Sequence, residues 1–208
     1  MLLLLTMYKK PIISFEGIEG SGKTFHINNV AKFLKKKRLK FIKIREPGGS
    51  FNSEKIRKLI LDKKSQFNKN TDLLLYLAAR SENINLIKEN YKKKIILLDR
   101  FTHSTIAYQH YGMGVDINVI KFINNFLLKG IKIDFTFLNV VSKKNLILRL
   151  KKRKRLNRYD KFSFQFYKKV QSGFLKILKN NKKSLIIDSN LDINLNKDII
   201  IKKIDKLI

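Results

Sequence analysis

Residues 15–24, FEGIEGSGKT, constrain the fold more than any other stretch of this chain. They match G-x-x-x-x-G-K-[ST], with Gly17, Gly22, Lys23 and Thr24 at the defining positions. Before them runs the short apolar segment IISF, bounded by Pro11 and readable as a strand. After them, Ile27, Val30, Ala31 and Leu34 recur at helical spacing through 24–38. Strand, loop and helix in this order make a phosphate cradle. Glycines let the backbone turn its N–H groups inward on an anion, and the helix N-terminus adds partial positive charge. Gly17, Ile18, Glu19, Gly20, Ser21, Gly22, Lys23 and Thr24 are therefore the expected nucleotide-phosphate loop. Lys23 should reach the terminal phosphates from a solvent-facing position, and Thr24 should offer its hydroxyl to Mg²⁺. An accidental match in a glycine-containing turn is the competing interpretation, and both flanks argue against it.

The rest of the chain alternates. Apolar runs occur at IISF, FIKI, IILL, FTFLNVV and SLII. Helical patterns lie between them at 24–38, about 53–63, about 71–90, 116–129, 143–153, 161–180 and 195–207, with Thr71 and Ser142 as expected N-caps. Strands alternating with helices imply an α/β chain with a parallel sheet covered on both faces. No repeat or linker divides residues 1–208, so one domain is expected. In such sheets ligands sit at the carboxyl ends of the strands. The polar stretches EGIEGSGK, REPGGS and DRFTHST follow the first three runs at just those ends.

Charge needs a decision, because a formal +30 suggests nucleic acid or another anionic partner. The lysines are spread over nearly every segment and form no single tract. They read as a solvated face. The arginines number only nine, and Arg45, Arg57, Arg80, Arg100, Arg153, Arg155 and Arg158 lie in or beside the polar stretches. A planar guanidinium grips phosphate or a base edge in two places, which an ammonium cannot. There are no cysteines, and His26, His103 and His110 are too scattered for a zinc site. The opening MLLLLTMYKK is too short to span a membrane and lacks the layout of a signal peptide. Residues 1–6 are expected to be an untranslated or disordered extension, with Met7 the alternative start or the leucines lengthening the first strand. A cytoplasmic protein is expected.

Asp99 closes the third apolar run, where a phosphate-loop enzyme places the carboxylate that orients Mg²⁺, often through water. Arg100 follows it. A surface ion pair is the plain alternative for these two, and a solvated basic run is the plain alternative for KKRKRLNR at 151–158. The functional reading of the latter is a lid, about 151–160, whose arginines fold over a polyphosphate.

Taken together, FEGIEGSGKT, REPGG, LAAR, DRFTHSTIAYQ and LNRYDKFSFQFYKKVQSGFL resemble the thymidylate kinase family, in the same order and over about residues 11–180. The resemblance implies a P-loop NTPase-type three-layer fold, with a five-stranded parallel sheet between helices. It implies transfer of the γ-phosphoryl group of ATP to dTMP, giving dTDP, with Mg²⁺, in a homodimer. It also assigns roles. Lys23, Glu19, Arg100 and Arg153 are the catalytic set, Glu19 lying near the acceptor phosphate and metal. Arg100, joined by Arg57, takes the dTMP phosphate. Tyr76 stacks on thymine and Arg80 donates to it. Glu46 and Pro47 of REPGG, with Ser104, Thr105, Tyr108 and Gln109, line the acceptor pocket, and Tyr108 favours deoxyribose. Gly20 and Ser21 leave the loop without an arginine, so the catalytic cation falls to the lid, with Arg153 first, Arg158 next and Arg155 at a variable position. Thr24 and Asp99 are the metal-side residues.

The chain departs from the family pattern at Asn139 and Asn157, where carboxylates are usual, and at His110 and Met113. Two other functions compete. A deoxynucleoside kinase would recruit Glu16 or Asp99 as a base. A basic nucleic-acid-binding ATPase would concentrate its charge between exposed aromatics. Phe162, Phe164, Phe166, Tyr167 and Phe174 read instead as helix core, and no membrane or specific nucleic-acid partner is expected.

Overall fold

The computed structural model describes residues 10–153 and 156–208. Arg155 and the leucine-rich start therefore lie outside the described residues. Five strands form one parallel sheet: β1 (Ile12–Glu16), β2 (Phe41–Arg45), β3 (Ile95–Asp99), β4 (Phe135–Val140) and β5 (Ser184–Asp188). Their order is β2-β3-β1-β4-β5. Central β1 is registered so that Ile13 lies between Leu97 of β3 and Phe135 of β4.

Alternation along each strand feeds two cores. Ile13, Phe15, Leu97 and Phe137 meet α1 (Lys23–Lys36) and α8 (Ile193–Asp205) on one face. Ile12, Ile44, Ile96 and Leu98 meet Ile84 and Ile87 of α3 (Lys69–Asn90) on the other. Burial on both faces is why the strands read as unbroken apolar runs. Each Ile, Leu or Phe so buried contributes about 1.5–3 kcal/mol. The remaining helices are α2 (Phe51–Leu61), α5 (Ile117–Leu128), α6 (Lys143–Lys151) and α7 (Phe164–Leu178). Tyr167 and Phe174 of α7 are fully buried and Phe162 stacks on Phe166 at 4.2 Å, so this aromatic group is core, as its spacing implies.

Ser142 caps α6, accepting from the Asn145 N–H at 3.3 Å. Thr71 does not cap α3. That helix begins earlier, and Asn68 Oδ1 accepts from the N–H groups of Asn70 and Thr71 at 3.0 and 2.9 Å. Asn is the stronger cap, which leaves Thr71 inside the first turn. The larger surprise follows β3. A short α4 (Thr102–Thr105) runs directly into a π-helix, Ile106–Gly112, where sequence periodicity gives no helix. The Met113 N–H donates to the carbonyl of Tyr108, five residues back, at 3.0 Å. Such wide turns are rare and gather at functional sites. Here the turn carries Tyr108 and Gln109.

Candidate active site

The glycine loop closes tightly against the sheet. Gly17 has φ 135°, and a Cβ there would lie 2.3 Å from the Asn139 carbonyl, so no other residue fits. Ser189, just past β5, donates from Oγ to the Ser21 carbonyl at 2.7 Å. The loop is thereby fixed to the ends of β4 and β5 before α1 begins.

Lys23 corrects an expectation. It is not solvent-facing but 7% exposed, with Nζ donating to the carbonyls of Gly17 and Ile18 at 2.8 Å each. A curled loop turns those carbonyls toward its own lysine. Burial, reinforced by nearby Arg100, draws the ammonium down to about 7, against the opposing pull of Asp99, Glu19 and Glu16. Phosphate oxygens would favour the charged form. Binding of MgATP at pH 7 is therefore expected to take up roughly half a proton, falling toward zero by pH 5.5, where Lys23 is already charged. Titration calorimetry in buffers of different ionisation enthalpy measures this uptake, and proton release at pH 7 would contradict it.

Arg100 stands across the loop with φ 70°. A left-handed backbone is costly for arginine and is found where the fold fixes a side chain for use. Its Nη1 donates to the Gly17 carbonyl at 2.8 Å and to Ser104 Oγ at 3.3 Å, and Nη2 donates to Glu19 at 2.9 Å. Burial works against the guanidinium charge, but Tyr108, Glu19, Asp99 and Glu16 outweigh it and raise its pKa. Burial likewise pushes the Glu19 carboxyl upward, and Arg100 and Lys23 hold it below its ordinary range. Fully buried Glu16 accepts from the Phe101 N–H at 2.9 Å and from Ser104 Oγ at 2.5 Å, locking the turn that presents Arg100.

Glu19, Lys23 and Arg100 line one cleft of about 430 Å³ at the carboxyl edge of the sheet. Its walls include 19–24 of the loop, Arg45 at the end of β2 with Glu46 and Pro47 after it, Arg57 of α2, Tyr76 of α3, and Asp99–Arg100. The REPGG turn is braced from behind. Ser53 Oγ donates to the Gly48 carbonyl at 3.1 Å, Asn83 donates to it at 2.7 Å, and Arg57 donates to the Pro47 carbonyl at 2.5 Å. A narrow recess of about 20 Å³ opens among Glu19, Tyr76, Arg100, Ser104, Tyr108 and Gln109. Tyr108 donates to Glu19 at 2.5 Å across it.

Four expected loop and pocket residues line neither space: Gly17, Ile18, Thr105 and Arg80. Thr105 is buried. Arg80 is 2% exposed, donating to Glu46 at 2.8 and 2.9 Å and to Asn124 at 2.6 Å, over the Phe101 ring. It is a strut behind the REPGG turn. Burial nonetheless pushes the Glu46 carboxyl up, outweighing Arg80.

The lid arginines divide. Arg153 lines the cleft and is ion-paired to Asp160. Arg158 turns away and pairs with Asp72 of α3. Arg149, set aside in the arginine argument, belongs to the site. It donates to the Gly20 carbonyl at 2.9 Å and to the Ser189 carbonyl at 2.6 Å, and it lines the cleft. Its place in the last turn of α6, just before the basic run 151–158, is the signal that could have found it.

Among the described residues no three His, Cys, Asp or Glu side chains gather to hold a metal. Thr24 and Asp99 both face the cleft, and together they offer a hydroxyl and a carboxylate. An all-oxygen, incomplete donor set suits Mg²⁺, which keeps waters and takes its other ligands from phosphates.

A parallel sheet of this order, with a glycine-lysine loop between its central strand and the first helix and arginines facing that loop, defines a P-loop enzyme of the nucleotide-kinase class. The family model for thymidylate kinase matches residues 15–200. The thymidylate kinase of Thermosipho africanus is 38% identical over 184 residues, covering 88% of this chain and 91% of that one. That of Sulfurihydrogenibium sp. is 38% identical over 185 residues, covering 87% and 90%. The crystal structure of thymidylate kinase from Ehrlichia chaffeensis superposes with a TM-score of 0.76 at 31% identity, covering 95% of this chain and 99% of that one. The chain belongs to the thymidylate kinase family.

Proposed function

We propose that this chain transfers the γ-phosphoryl group of ATP to dTMP, giving dTDP, in the cytoplasm. One observation carries the reading: the glycine loop with Lys23 and the pair Arg57–Arg100 line a single cleft. Donor and acceptor phosphates each find cations there, with Glu19 between them. Loop N–H groups and Lys23 hold the donor phosphates. Arg100 takes the acceptor phosphate once it exchanges the Gly17 carbonyl for phosphate oxygens, and Arg57 shares it. Tyr76 and Tyr108 bracket the nucleoside, with Ser104 and Gln109 on its edge. Arg80 supports the acceptor side from behind, through its bonds to Glu46. Thr24 and Asp99 would hold Mg²⁺, which would supply charge neutralisation on the donor phosphates. No general base is required, because a phosphate monoester with a second pKa of about 6 is mostly a dianion at neutral pH. Alignment and charge neutralisation suffice.

The test is ADP release with dTMP, dUMP, thymidine and duplex DNA side by side. dTMP should be fastest. Thymidine alone would favour a deoxynucleoside kinase, and stimulation by duplex would favour a nucleic-acid-dependent ATPase.

We also propose a homodimer formed through α5 and α3. On α5, Val119, Phe122 and Phe126 make one stripe at 45%, 74% and 67% exposure, and Leu74 on the adjoining α3 is 57% exposed. Phenylalanines so exposed along one helix face mark an interface. Phe122→Glu should convert a dimer to a monomer in light scattering after size exclusion. A monomeric unsubstituted chain would refute the proposal.

A further inference from the structure

Asp72 belongs to none of the sequence motifs, yet it joins residues from distant parts of the chain beside the site. It lies in the first turn of α3, is 1% exposed, and precedes Tyr76 by one helical turn. One carboxylate oxygen accepts from Arg158. The other accepts from the Tyr159 hydroxyl at 2.6 Å and from Gln109 Nε2 at 3.1 Å. Arg158 and Tyr159 belong to a single 3₁₀ turn, Arg158–Lys161. Gln109 belongs to the π-helix that walls the inner recess. One buried carboxylate thus ties α3 to two other elements, through partners 37, 86 and 87 residues away in sequence.

The same turn leads to the cleft. Asp160 caps it, accepting from the Asn157 N–H at 2.8 Å, and pairs with Arg153. The Tyr159 ring meets Tyr76 edge-on at 6.0 Å and Tyr108 at 5.8 Å, the two rings of the recess. A shift of the turn would therefore move Arg153 and reshape the acceptor pocket together.

We propose that Asp72 is a positioning residue that seats the turn 158–161 against the acceptor pocket, so that one carboxylate sets both the pocket and the placement of Arg153. This rests on reading the recess as the acceptor site. A purely structural ion pair is the competing account. It places the contribution in the stability of α3, which Leu73, Leu77, Ile84 and Ile87 already anchor.

The test is Asp72→Asn, isosteric but uncharged, with Arg158→Gln as the partner that breaks the same contact from the other side. Hydrogen exchange of the protein without nucleotide should show amides 156–162 exchanging about tenfold faster or more in both variants, with β1, β3 and the C-terminal half of α3 unchanged. With dTMP and saturating MgATP, kcat should fall about tenfold while KM for ATP stays within twofold, and the double variant should be no worse than the more affected single. Asp72→Glu should recover part of the loss. Unchanged exchange at 156–162, exchange rising equally throughout α3, or additive losses in the double variant would each overturn the proposal. The exchange arm does not depend on the acceptor. If the unsubstituted protein fails to phosphorylate dTMP but Asp72→Asn still frees the turn, the function is wrong and the seat is right. If it phosphorylates dTMP and the turn does not respond, the reverse holds.

Discussion

Replacing Lys23 by alanine is expected to lower turnover with dTMP by roughly 10³-fold while leaving the fold in place. A preorganised donor aimed at developing phosphoryl charge accounts for about 10²–10³ in kcat, and Lys23 supplies a whole charge to two phosphates. The fold survives for a reason other than exposure, since Lys23 is buried. Two effects of the substitution oppose each other. Removing the amine takes one donor from each of the Gly17 and Ile18 carbonyls, but Arg100 still donates to the first and the Ser21 N–H to the second, so the cost falls below the roughly 1–3 kcal/mol of a wholly unpaired buried group. It also removes a cation crowded by Arg100. Their balance depends on pH. The Lys23 pKa is about 7 in the folded protein and about 10.4 in an unfolded chain. Between those values the unfolded chain holds the extra proton, so the unsubstituted protein gains stability as pH rises, and the alanine variant lacks that gain. Calorimetry should find the variant comparing better with the parent at pH 6 than at pH 9. A variant with near-normal turnover would remove the phosphate loop from the mechanism, and the opposite pH trend would remove the buried-amine account.

That correction marks a boundary in what a sequence discloses here. The strands were legible because burial on both faces leaves no polar residue to interrupt IILL or FTFL. The phosphate loop was legible because backbone geometry demands Gly17 and Gly22. The direction of the Lys23 side chain was not, because it depends on which loop carbonyls the closed turn exposes. The π-helix escaped notice for a related reason. Tyr108, Gln109 and His110 follow no 3.6-residue apolar pattern, and the packing of α7 supports the wide turn instead. Arg149 was hidden among the basic residues of α6, and its bonds go to backbone carbonyls, which carry no signature in residue type. Asp72 was the least visible. An acid in the first turn of a helix is what the helix dipole favours on any surface, and only the fold brings Arg158 and Tyr159 to it.

The second large effect is expected at Arg153. The loop 17–24 brings no arginine, so the charge growing on the transferred phosphoryl group needs a cation from the end of α6. Two arginines there line the cleft, and their environments assign them different work. Arg149 is already spent on the carbonyls of Gly20 and Ser189, holding the donor side in shape before any reaction. Its loss should appear mainly as a higher KM for ATP. Arg153 is 42% exposed at the rim, and its partner is the side chain of Asp160, an ion pair it can exchange for phosphate oxygens. Arg153→Ala should lower kcat by about 10²–10³ with KM for dTMP little changed, the signature of a contact made only in the transition state. Arg155→Ala should be milder. Steady-state kinetics on the three variants at saturating MgATP separates them. A rise in KM for ATP with unchanged kcat in Arg153→Ala would make it a second ground-state clamp. A collapse of kcat in Arg149→Ala instead would move the catalytic cation one helical turn back along α6, to the residue that also braces the loop.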